Sequence, residues 1–189
     1  MRMIFAVVVA CWGGMMVAQT NDVVADVRMS VSTVVSSLPN GTADTVDRLR
    51  NFGVHAKHLR GYQNLVEAVS NNQDIVWSNF NLCATNELSR MMLLAAWWGG
   101  DDQLYLNGLS RSLDMAVSGT LTREEVDWYR SGHRNERRGN ILALRYDEPG
   151  VSNLVMRYYG FMGETNACQR ILSGEARRTL LRYFEDMAQ

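Results

Sequence analysis

Apolar side chains recur at intervals of three and four residues through most of this chain, the spacing that aligns them on one face of an α-helix. The first clear run is Val24, Val27, Val31, Val34 and Leu38. Prolines, which interrupt helices, occur only at positions 39 and 149. We therefore expect an all-α fold, a single-domain bundle or a short array of about eight to ten helices, after an N-terminal signal segment.

Three further segments sharpen this expectation. The segment from Asn86 to Trp98 is apolar nearly all round, which is typical of a helix at the centre of a bundle. Thr122 and Glu125 have the spacing of a capping box at the start of another helix. The stretch 134–146 is ambiguous, because its apolar run at 141–144 is equally compatible with a short strand.

The last predicted helix, 175–187, is amphipathic. Its apolar side chains are spaced four, four and three residues apart, and therefore lie on one face: Ala176, Leu180, Phe184 and Met187.

Residues 1–18 have the pattern of a secretory signal peptide. Arg2 precedes a short apolar run, and Ala18 provides a small residue at a cleavage site. Cleavage there leaves a helical domain at 19–189 and an exported protein, periplasmic or extracellular. Alternatively, Val8-Val9-Ala10-Cys11 resembles a bacterial lipobox; cleavage before Cys11 and lipidation of its sulfur would tether a lipoprotein to the membrane by its N-terminus. A third alternative is a segment that is retained as an anchor.

The cysteine count agrees with export. Removal or lipidation of Cys11 leaves two cysteines, Cys83 and Cys168. In an oxidising compartment two such residues are expected to form a disulfide. The alternative is a pair of buried free thiols.

The charge balance restricts the class of partner. The formal net charge is −1, which argues against general binding to nucleic acid or to an anionic membrane surface. We therefore expect a protein partner rather than a nucleic acid.

Two groups of residues are candidates for ligand binding. The densest basic cluster, which could hold a phosphate or a carboxylate in forked hydrogen bonds, consists of Arg130, His133, Arg134, Arg137 and Arg138. The same residues are equally compatible with a solvated helix surface. His55 and His58 have a spacing that suits a metal, but no third ligand is marked. We expect neither a metal site nor a cofactor.

Aromatic residues suggest a second kind of chemistry. Trp97, Trp98, Trp128, Tyr105 and Tyr129 would stack on sugars if they lined a groove. Glu124 or Glu125 would then supply the acid for glycoside cleavage. However, aromatic residues beside Leu and Met are usually core residues, and the capping box already accounts for Glu125.

The sequence assigns no catalytic residue. It favours an exported helical binding or scaffold protein with an unknown ligand. The alternative is a small exported hydrolase that acts on glycans or on an anionic substrate. A binding protein should expose an apolar or aromatic patch, whereas an enzyme should hold convergent polar groups in a pocket.

Overall fold

The fold is all-α, as the spacing of apolar residues predicts. The computed structural model describes residues 4–38, 59–122, 125 and 136–188, and within them the chain forms ten helices and no strand. The helices are α1 (Ile4–Ser36), α2 (Tyr62–Asn71), α3 (Gln73–Ser78), α4 (Phe80–Cys83), α5 (Glu87–Gly99), α6 (Asp102–Val117), α7 (Glu136–Arg145), α8 (Val151–Met162), α9 (Thr165–Leu172) and α10 (Glu175–Met187).

The ambiguous stretch at 134–146 is helical in its described part, because α7 spans Glu136–Arg145. Ile141, Leu142 and Ala143 are all buried there, although they are consecutive. A helix covered on more than one side buries consecutive residues, which is why the run also resembled a strand.

The described chain divides into two compact units, where the sequence led us to expect one domain over 19–189. The N-terminal unit extends to Tyr105 and the C-terminal unit begins at Leu106. In the N-terminal unit α1 packs against α2, α3, α4 and α5. The predicted valine stripe of α1 makes this contact, since the side chains of Val24, Val27, Val31 and Val34 are all buried.

Helix α5 is the most buried element of the N-terminal unit. Every residue from Met91 to Trp97 is buried, in agreement with the all-round apolar character of this segment. The Tyr62 hydroxyl of α2 donates a hydrogen bond of 2.8 Å to the Ala95 carbonyl. Gly99 makes room for this ring, because a Cβ atom at Gly99 would lie only 2.8 Å from Tyr62 Cζ.

The C-terminal unit is built around α7, α8, α9 and α10. Helix α9 packs against both α8 and α10, and α10 also contacts α7. Just before the undescribed residues 126–135, the predicted capping box is formed: the Thr122 N–H donates to Glu125 Oε2 at 2.8 Å, and the Glu125 N–H donates to Thr122 Oγ1 at 3.2 Å. Such a cap stabilises a helix by about 0.5–2 kcal/mol.

The N-terminal segment forms one continuous helix with the residues that follow it. Helix α1 begins at Ile4 and continues to Ser36, across the expected cleavage position after Ala18. Within the described part of the chain, no helix combines the length and the apolar character that crossing a membrane requires.

The predicted disulfide between Cys83 and Cys168 is wrong, because both residues are free thiols. Cys83 ends α4 with an exposed fraction of 0 %, so it faces the core of the N-terminal unit. Cys168 lies partly exposed on α9, in the other unit. The apolar face that carries Cys83 therefore reflects burial of a small thiol among apolar side chains rather than a bond to a second cysteine.

The two thiols are expected to differ sharply in reactivity. Burial raises the pKa of Cys83 to about 11, against a smaller opposing effect of the Arg28 charge. At pH 8 only about one Cys83 thiol in a thousand is ionised, and only the thiolate reacts. Iodoacetamide should therefore label Cys168 in the folded protein and label Cys83 only after unfolding, as read by peptide mass spectrometry.

The pH dependence of stability follows from the same shift. Between about pH 9 and pH 11 the unfolded chain has lost the Cys83 proton that the folded chain retains, so this contribution to stability falls as the pH rises.

The iodoacetamide experiment has one contrary outcome. If neither cysteine were labelled in the unfolded protein without a reductant, the two cysteines would form a disulfide.

Candidate functional site

Among the side chains that the structure describes, those of α10 include more exposed large apolar ones than those of any other helix. Tyr183, Phe184 and Met187 are 56 %, 47 % and 71 % exposed, and no residue within α10 is buried. Together with the partly covered Leu180 they form one continuous stripe, which we call the α10 apolar face. Leu181 is exposed beside it.

The two halves of α10 differ in how they are held. A left-handed turn at Gly174, with φ 73°, starts the helix. Arg177 forms an ion pair of 2.7 Å with Asp147, and Arg170 forms one of 2.9 Å with Glu175. Both ion pairs lie at the first turn of α10. The N-terminal half is therefore held against the unit, whereas the second half presents its apolar side chains to solvent.

The chemistry of this face suits a protein partner. Tyr183 and Phe184 lie side by side with ring centroids 6.0 Å apart and planes tilted by 59°. Rings and Met side chains are enriched where proteins bind one another. Three arginines and three acidic residues make α10 neutral: Arg177, Arg178, Arg182, Glu175, Glu185 and Asp186. A neutral helix lacks the basic excess of helices that lie on anionic membranes.

The predicted anion-binding cluster is not assembled at the surface in its described part. Arg138 is 1 % exposed, and its guanidinium carbon lies 5.0 Å from the centroid of the Tyr158 ring. It also donates a hydrogen bond to the Tyr158 hydroxyl. Arg137 is half-buried on the same helix. The remaining members, Arg130, His133 and Arg134, lie outside the described residues.

The aromatic residues proposed to stack on sugars are mostly core residues where the structure describes them. Trp97 and Tyr105 are fully buried, and Trp97 packs edge-on against Trp77 with centroids 5.8 Å apart. Trp98 is half-buried. Glu125 is buried within its capping box, so it does not face an open groove. Trp128, Tyr129 and Glu124 lie outside the described residues.

Metal binding finds no support in the part of the chain that the structure describes. No group of three or more His, Cys, Asp or Glu side chains is placed there to hold an ion. His55 and His58 lie outside the described residues.

The pKa of Glu148 is lowered because Arg145 donates hydrogen bonds to its carboxylate at 2.6 and 2.8 Å. The two residues are three positions apart and form a local ion pair at the surface.

The exposure of the α10 apolar face is the feature that sequence reasoning missed. The alignment of Leu180, Phe184 and Met187 was predicted, without Tyr183, but the spacing of these residues carries no information about what covers them. Comparison of the chain with protein-family models, with curated proteins and with solved structures finds no match. The α10 apolar face is therefore identified from its exposure and its side chains alone.

Arg138 should be essential for stability, because its side chain fills the core and satisfies the Tyr158 hydroxyl. We expect Arg138→Ala to lower the free energy of unfolding by about 3–5 kcal/mol, through lost packing and an unpaired hydroxyl. Arg182→Ala, at an exposed position, should change it by less than about 0.5 kcal/mol. Urea denaturation measures both. Equal, small losses would contradict a structural role for Arg138.

Proposed function

We propose that this chain is an exported helical binding or scaffold protein that docks on a partner through the α10 apolar face. One observation carries the proposal: Tyr183, Phe184 and Met187 expose about half or more of their surface on one side of one helix. Monomeric proteins rarely expose contiguous apolar patches larger than roughly a few hundred Å², and patches above that size mark interaction sites.

The other exposed apolar side chains that the structure describes do not share a helix. Met29, Leu82, Val117 and Met156 are also exposed, but each lies on a different helix. Isolated exposed residues are ordinary on protein surfaces. The contrast supports α10 as the docking element, and it provides matched control positions elsewhere on the molecule.

The export part of this proposal depends on residues 1–18. The charged start, the apolar run and Ala18 support secretion, and the run that ends at Cys11 supports a lipid tether as the alternative. A released protein would find its partner in solution, whereas a tethered one would find it at a membrane.

The intact mass of the protein from its native host should show processing of the N-terminus. We expect a mass that corresponds to Gln19–Gln189, because Ala18 provides the small residue at the cut. A lipid adduct on Cys11 would instead establish the tethered form. A full-length mass would contradict both.

Docking through α10 can be tested with a photo-crosslinking residue introduced into the full chain. Placed at Phe184 in the native host, it should form a covalent product with a protein. The control position is Met156, which is 53 % exposed on α8 and has no apolar stripe around it. A product at neither position, or equal products at both, would contradict the proposal.

A further inference from the structure

We propose that Gln19 is a modification site: once cleavage after Ala18 makes it the first residue, it cyclises to pyroglutamate and becomes the neutral start of helix α1. The inference rests on the export part of the proposed function, since it needs that cleavage. A glutamine at the N-terminus of a chain carries its side-chain amide at the distance that closes a five-membered ring with its own α-amine. The cut itself therefore creates the reacting pair.

The reaction is intramolecular and needs no co-reactant. The α-amino nitrogen of Gln19 attacks the Cδ carbonyl of the same residue. A bond forms between that nitrogen and Cδ, the bond from Cδ to Nε2 breaks, and Nε2 leaves as ammonia with the proton that the α-amino nitrogen gives up. No atom is oxidised or reduced. An α-amine titrates near neutral pH, so part of the population carries the reactive neutral nitrogen.

The surroundings of Gln19 leave room for ring closure. Gln19 is exposed on α1, and Asn21 and Asp22 after it are exposed as well. The first buried residue after the cut is Val24, which is 7 % exposed. The amine and the amide of Gln19 therefore meet in solvent, ahead of the part of α1 that packs in the N-terminal unit.

Helix α1 gives a neutral start its physical advantage. The helix continues through position 19 to Ser36, so the cut leaves a helix whose first residue carries an α-ammonium group. The N-terminal end of a helix dipole is positive, and a positive group there is unfavourable. Cyclisation replaces the ammonium with a neutral lactam. Asp22 is then the one charged group in the first turn, with the sign that the dipole favours.

The ring also protects the end of the chain. Exposed termini are preferred sites of proteolysis, and an aminopeptidase binds the free α-amine that the lactam lacks. Loss of residues from this end would shorten α1, which packs against α2, α3, α4 and α5. A blocked Gln19 therefore preserves the helix on which the N-terminal unit is assembled.

The first test compares the natural chain with Gln19→Asn, both purified from the native host. Asparagine keeps a side-chain amide, but it is one methylene shorter, and the strained four-membered ring that it would need does not form. We expect the natural chain to have the mass of residues 19–189 less one ammonia, and the variant to keep its ammonia. An aminopeptidase should shorten the variant at once, and the natural chain only after pyroglutamyl peptidase has removed the first residue.

The second test measures the effect on the helix. A fusion is cut so that Gln19 becomes the first residue, and mass spectrometry and circular dichroism follow the sample at low salt while the ring closes. The Tm should rise by about 1–4 °C, because the unfavourable ammonium is lost. The Gln19→Asn variant, treated in the same way, should keep a constant Tm. A Tm that does not change on closure overturns the role of the ring at the start of α1.

The outcomes separate this inference from the proposed function. Residues 19–189 found from the native host with their ammonia retained overturn the cyclisation and leave the cut after Ala18 intact. A full-length mass, a lipid adduct on Cys11 or any other N-terminus overturns the cut and the cyclisation together. Docking through the α10 apolar face is decided separately, by the crosslinker at Phe184.

Discussion

The packing of apolar helix stripes on one another is the interaction on which this structure depends. Several helices are too short to persist alone; α3 has six residues and α4 has four, below the length at which isolated helices are stable in water. Cys83 and Cys168 are free thiols, and the described residues contain no group of three or more potential metal ligands. The buried valines of α1, which contact α2 through α5, provide the stability that the short helices lack.

The same constraint determines how polar groups enter the interior. A buried charge is tolerated where its hydrogen bonds are satisfied. Glu125 is buried because its carboxylate accepts a hydrogen bond from the backbone of Thr122. Arg138 is buried with its guanidinium carbon over the Tyr158 ring and one nitrogen donating to the Tyr158 hydroxyl, although its Nη2 makes no hydrogen bond in the described part of the chain. Each is a structural side chain that resembled a functional one in the sequence.

The sequence patterns correctly predicted which face of a helix is apolar. They did not predict what packs against that face. The valine stripe and the capping box follow local rules, so they were predictable. The disulfide was not, because the inward direction of Cys83 indicates burial without identifying what it meets. Arg138 carried a signal that its basic neighbours concealed: it lies three and four residues before Ile141 and Leu142, and therefore shares their buried face.

In helix α10, too, the sequence pattern did not predict what packs against an apolar face. Its stripe obeys the period that places apolar residues inside, yet its neighbours α7 and α9 leave Tyr183, Phe184 and Met187 uncovered. Whether such a stripe is buried or exposed therefore depends on which other parts of the chain pack against the helix. The sequence of the helix itself does not show this. An apolar face that the described helices leave open is therefore the feature on which the proposed docking rests.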